Sequence, residues 1–190
     1  MKIGLFFGSF NPIHIGHLAL ANYIVENSAL QQIWFVVSPQ NPFKDKKSLL
    51  NENLRYDLVY ETIKNDERFG VSNIEFSMPK PSYTSNTLVA FAEKFPLHQF
   101  SIIMGEDNLQ SLHKWKNADF IQNNYSIYVY PRLNVKVENL IQNQNIIHVN
   151  APIIEISSSM IREGIQKGKK YNHLIPLPAW EIIEKNGYYL

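Results

Sequence analysis

The chain contains no cysteine, which excludes disulfides and thiolate metal clusters and leaves packing to hold the fold. That absence suits a reducing cytosol, so a cytoplasmic protein is expected. An excess of charge of either sign is also missing: 18 Lys and Arg face 17 Asp and Glu, a formal charge of +1. This argues against a nucleic-acid partner with a large basic footprint and makes any anion site local. No run approaches the roughly 20 apolar residues that a membrane span requires, so no membrane partner is expected. The short apolar opening "MKIGLFFGSF" is broken by Gly and Asn-Pro, with no small-residue cleavage site after it, and reads as a buried strand rather than a leader. Internal repeats and low-complexity blocks are likewise absent. What is present is ordinary for a globular protein, with 45% hydrophobic and 18% charged residues among 190. One domain over 1–190 is expected, its helical end from about 151 to 190.

"KIGLFF" at 2–7 is a continuous apolar run, as in a strand covered on both faces. Leu18, Leu20, Ala21, Ile24 and Val25 then follow helical spacing, predicting a helix from His14 or Ile15 to Asn27, before a second buried strand, "IWFVVS", at 33–38. The alternation continues with helices near 52–65 and 85–94 and strands near 71–77, 99–104, 125–130 and 145–149. A Ser cluster opens a helix-compatible stretch at 157–168, and a last helix over 179–187 closes at Gly187. Polar stretches at 38–53 and 130–145 read as surface loops. Strands alternating with helices predict an α/β fold, a Rossmann-like doubly wound parallel sheet between helical layers.

In such a sheet the ligand crevice lies at the carboxyl ends of the strands. "FGSFNPIHIGH" at 7–17 sits there: Gly8 lets backbone approach a ligand, and the following helix start offers unpaired N–H groups to a phosphate. His14 and His17, three apart, share the first helical turn and can reach one anion. Two core histidines, or two of a zinc ion's ligands, are the competing readings. Ser157, Ser158 and Ser159 in "ISSSMIR" at 156–162 offer hydroxyls to an anion, with Arg162 as a fixed cation; a plain Ser N-cap fits the same spacing. Likewise Thr84 or Ser85 in "PSYTSNTL" could be only a helix cap. In "GEDNLQSLHKW" at 105–115, Gly105 ends a strand, Asp107 can accept from a ribose hydroxyl or cap a helix, and Trp115 can pack or stack. Lys44, within "NPFKDKK", is one solvated lysine among three or a phosphate ligand. Arg55 and Arg132 have weaker claims.

"HIGH" with its lead-in "GSFNP", together with "ISSSMIR", resembles the two signatures of the nucleotidyltransferase superfamily. Within it the chain is similar, over nearly its whole length, to bacterial nicotinate-mononucleotide adenylyltransferases. The resemblance implies the three-layer α/β/α nucleotidyltransferase fold and adenylyl transfer from ATP to nicotinate mononucleotide in NAD biosynthesis. It implies an ATP site at Gly8, Ser9, Phe10, His14 and His17, joined by Gly105 and Asp107, then Ile156, Ser157, Ser158 and Arg162. A mononucleotide site would use Ser9, Phe10, Tyr83, Thr84, Trp115 and Lys116, with the amides of Thr84 and Lys116 on the pyridine carboxylate and Trp115 stacked on the ring. His14, His17, Lys44 and Arg162 would carry the chemistry. Mg²⁺ would arrive with ATP, largely hydrated, without a dedicated protein metal site. Two departures stand out: Phe7 replaces a glycine, and Asn11 an aspartate. A pantetheine-phosphate adenylyltransferase and a non-catalytic nucleotide-binding protein are the alternatives. Aromatic content of 13% permits a homo-oligomer without locating an interface.

Overall fold

A computed structural model of the chain describes residues 1–39, 49–133, 135 and 143–190. The apolar run expected at the start is β1 (Lys2–Gly8). It is central because it is covered on both faces and hydrogen-bonded on both edges, to β2 (Gln32–Val37) and β4 (Gln99–Gly105), in parallel. With β3 (Phe69–Ser72), β5 (Ile127–Tyr130) and β6 (Ile146–His148), the sheet has the order β3-β2-β1-β4-β5-β6, every described pair parallel. The order reverses between β1 and β4, so a crevice opens at their carboxyl ends.

Period-2 alternation sorts the strand side chains into two cores. Ile3, Leu5, Ile102, Met104, Ile127 and Val129 pack under α3 (Thr84–Lys94), α4 (Glu106–Ser111) and α5 (Ala118–Asn124). Phe6, Ile33, Phe35, Ile103, Tyr128 and Tyr130 pack under α1 (Ile15–Glu26), α2 (Glu52–Ile63), α6 (Ser158–Gln166) and α7 (Leu177–Asn186). The result is the expected three-layer α/β/α sandwich. No helix among the described residues is long and apolar enough to cross a membrane.

The structure corrects some expected boundaries. The strand near 71–77 ends at Ser72, whose partner Val36 is one residue from the end of β2; with no ladder left, the chain turns through a 3₁₀ segment at Ile74–Ser77. That turn buries Glu75. The last helix starts at Leu177, two residues before the expected 179, and Gly187 closes it at φ 64° as predicted. The short α4 and α5 carry too few turns to show helical periodicity. Much of the polar stretches at 38–53 and 130–145 lies outside the described residues.

Two side chains hold the loops at the carboxyl end. Arg55, fully buried on α2, donates from Nε to Leu50 O (2.8 Å), from Nη1 to Ser38 O (2.9 Å) and Ser9 O, and from Nη2 to Pro39 O (3.1 Å). Asn11 Oδ1 accepts from Leu50 N (3.1 Å) and Tyr189 Oη (3.0 Å), while its carbonyl accepts from Arg162 Nη1 (2.8 Å). Arg55→Leu should therefore destabilise the fold by roughly 3 kcal/mol or more, because it strands several buried carbonyls at about 1–3 kcal/mol each. Urea unfolding checks this, and a midpoint equal to the parent's contradicts the anchoring role.

Candidate active site

Two clefts flank the carboxyl end of β1, and adjacent residues of that strand face them: Phe6 the first, Phe7 the second. The first, about 170 Å³, lies between His14 and His17, the end of β5 at Tyr130 and Arg132, and the approach to α6 at Ile154, Ile156 and Ser157–Ser159. The second, about 410 Å³, has Gly8, Ser9 and Ser38 at its base and Tyr83, Thr84 and Trp115 around it.

His14 is the N-cap of α1 and His17 the third residue of its first turn. Their rings stack at 3.7 Å between centroids, 24° apart. The His14 backbone N–H donates to His17 Nδ1 (3.2 Å), so in the neutral ring the proton of His17 sits on Nε2. His14 is 5% exposed, and burial, helped by the nearby Arg132 guanidinium, pushes its pKa down to about 4. Its Nδ1 has no hydrogen-bond partner among the described residues. At neutral pH the ring is thus an uncharged group holding an unmet polar atom, the arrangement expected where a ligand completes the bonding. Gly16 between the histidines has a steric reason: a Cβ there would sit 3.0 Å from His14 Nδ1 and 3.2 Å from an Ile154 methyl.

The distant serine motif docks onto the same turn. Ser157 is the N-cap of α6, its hydroxyl accepting from Met160 N (3.2 Å), so the plain cap reading holds for that residue. Ser158 Oγ donates to Pro12 O (2.9 Å), and Arg162, one turn inside, reaches Asn11 O and Ser159 Oγ (3.3 Å). Arg132, a weak candidate from spacing alone, is held at the site: its backbone N–H donates to the Glu106 carboxylate (3.0 Å) and its Nη2 to Tyr130 Oη (3.2 Å), tying the ends of β4 and β5 at the first cleft. Its position directly after a parallel strand was the available signal.

In the second cleft Thr84 is the first residue of α3; the N-cap is Tyr83, with no side-chain cap bond, so neither Thr84 nor Ser85 caps the helix. The Thr84 N–H has no partner within its helix, and Thr84 lines the cleft. Trp115 is half-buried there, and Lys116 Nζ stands 4.6 Å over the Tyr83 ring, bridging the two walls. Other expected residues are set back. Phe10, at φ 43°, is 1% exposed with its ring against Phe6, Phe35 and His17, so only its backbone can face a ligand. Gly105 is buried at the end of β4, and Asp107 is on the surface with Oδ1 3.6 Å from Arg132 Nε. Lys44 lies outside the described residues. Glu75, unremarked in the sequence, lines the second cleft; an acid inside the apolar run "VSNIEFS" was its only signal.

A cytidylyltransferase-like family model matches residues 5–164. A probable nicotinate-nucleotide adenylyltransferase of Flavobacterium psychrophilum is 51% identical, the alignment spanning 100% of this chain and 99% of that one. One from Cytophaga hutchinsonii is 48% identical over 100% and 98%. The solved structure of Plasmodium falciparum nicotinic acid mononucleotide adenylyltransferase complexed with NaAD superposes with a TM-score of 0.80, covering 99% of this chain and 97% of that one; at 21% identity this speaks to the fold alone.

The burial of His14 predicts a pH effect. Its folded pKa lies below its unfolded one, so its contribution to stability is complete above about pH 6.5 and is withdrawn as pH falls toward about 4. Replacing it by His14→Gln should remove on the order of 3 kcal/mol of that acid sensitivity. Unfolding free energies of both proteins from pH 7 to 4 test this; parallel curves contradict it.

Proposed function

Because the chain belongs to the cytidylyltransferase-like family and, within it, to the nicotinate-nucleotide adenylyltransferases, we propose that its two clefts divide the substrates of adenylyl transfer, ATP in the first and nicotinate mononucleotide in the second. The reaction gives nicotinate adenine dinucleotide and pyrophosphate, a step of NAD biosynthesis. The observation that carries the division is that both clefts flank the carboxyl end of β1, with the stacked histidines on one side and the start of α3 on the other.

A 5′-phosphate oxygen of the mononucleotide attacks the α-phosphorus of ATP, and the bond from that phosphorus to the bridging oxygen of the β-phosphate breaks. The nucleophile is already an anion, so no general base is needed. Catalysis rests on aligning two repelling anions and stabilising the charge that shifts between them. In this reading His17 Nε2–H donates to the reacting phosphate, and His14, neutral, completes its bonding there. Positive charge comes from Arg132, Arg162 and Lys44, with the helix starts of α1 and α6 adding their amides. Gly8, Ser9 and the Phe10 backbone separate the phosphates; Ile156, Ser157 and Ser158 line the triphosphate path, with Gly105 and Asp107 on the ribose side. ATP enters as its magnesium complex. Among the described residues no three His, Asp or Glu side chains converge, and a largely hydrated ion on the phosphates needs few protein ligands.

Aromatic walls at Tyr83 and Trp115 suit a flat pyridine better than the extended chain of pantetheine phosphate. Pyrophosphate release with ATP and each of nicotinate mononucleotide, nicotinamide mononucleotide and phosphopantetheine is the direct test. Turnover is expected with the first, and silence with it refutes the reading. His17→Ala should lower kcat about 100-fold or more with folding intact, as loss of a preorganised donor does. Trp115→Ala should weaken mononucleotide binding by about 1–3 kcal/mol and leave ATP nearly unaffected, by analogy with base stacking on aromatics. Equal losses for both ligands would show misfolding instead.

A further inference from the structure

Glu75 is 3% exposed in the wall of the second cleft, and among the described residues no ion pair compensates it. Two hydroxyls converge on it instead. Ser82 Oγ donates to Oε2 (2.9 Å) and Thr87 Oγ1 to Oε1 (2.8 Å), and Ser38, just past the end of β2, lines the same cleft. A carboxylate only accepts, so these are charge-assisted bonds, stronger than neutral ones. They offset only part of the burial, which still pushes its pKa up. Between the two donors, Ser82 and Thr87, run Tyr83 and Thr84, the wall that carries the first amide of α3, which has no partner within its helix. Ser38 in turn donates its N–H to Gly8 O (2.9 Å) and accepts from Arg55 Nη1, which links it to the end of β1.

We propose that Glu75 is the positioning residue for substrate recognition, clamping Ser82 and Thr87 so that the Tyr83–Thr84 backbone meets the pyridine carboxylate of the mononucleotide. This rests on the functional reading above. The role is indirect by necessity: a second carboxylate touching the substrate's own would repel it, whereas one held by two hydroxyls fixes the amide that attracts it.

Glu75→Met keeps the length and removes every acceptor, and Glu75→Gln keeps one. With ATP and nicotinate mononucleotide varied in turn, Glu75→Met should raise KM for the mononucleotide about 10-fold or more, with kcat and KM for ATP within about 3-fold. Glu75→Gln should fall between it and the parent, and Ser82→Ala should raise the same KM without adding fully to either. Hydrogen exchange at residues 83–87, measured without substrate, should accelerate in Glu75→Met while α1 and α6 are unchanged. A mononucleotide KM within about 2-fold of the parent's, equal rises for both substrates, or unaltered exchange at 83–87 overturns the proposal. If Glu75→Met does not fold, Glu75→Gln and Ser82→Ala carry the same tests. A parent protein inactive on the mononucleotide overturns the functional reading, and exchange then still decides whether Glu75 orders the segment.

Discussion

The site depends on a buried guanidinium. Parallel strands end in loops whose carbonyls point into the fold, and a crevice built from such loops keeps its shape only if those carbonyls find donors. Arg55 supplies them for the segments after β1 and β2 and before α2 at once. Its charge stays buried among carbonyl oxygens, beneath the loops that bound the crevice. Asn11 does the complementary work above it, receiving Leu50, Arg162 and Tyr189 from three distant parts of the chain.

Once those loops are fixed, the electrostatics of the first cleft follow. His14 is too buried to carry a positive charge at neutral pH, and His17 accepts at Nδ1 from its neighbour's backbone. The pair therefore offers directional, uncharged hydrogen bonding, while charge is left to the arginines around it. That separation suits a reaction in which negative charge shifts between oxygens without a net proton transfer.

The second cleft uses a different economy. Its walls are aromatic, its helix start carries an amide without an intrahelical partner, and its buried acid Glu75 is held by hydroxyls. Phe7, the residue standing where a glycine was expected, belongs to this cleft and leaves the turn at Gly8 untouched. A Cβ at Gly8 would lie 2.8 Å from the Phe10 ring, so the remaining glycine keeps the close approach that the turn requires.

The sequence by itself determined the alternation of strands and helices, the centrality of β1, and two of the segments that meet at its end. Each of these is written in local periodicity or in residue types clustered within a few positions. Apolar runs reveal covered strands, and serines or glycines mark helix ends wherever the fold places them. The sequence did not separate competing roles for the same residue: Ser157 caps a helix while Thr84 does not, although both precede helical patterns. It also passed over Glu75, and it ranked Arg55 and Arg132 low. Their roles arise from contacts between elements far apart in the chain, such as Arg55 with Ser9 and Glu106 with Arg132. Only the tertiary structure decided these, because burial and the identity of a hydrogen-bond partner are properties of the packed chain and leave no mark in the spacing of residues along it.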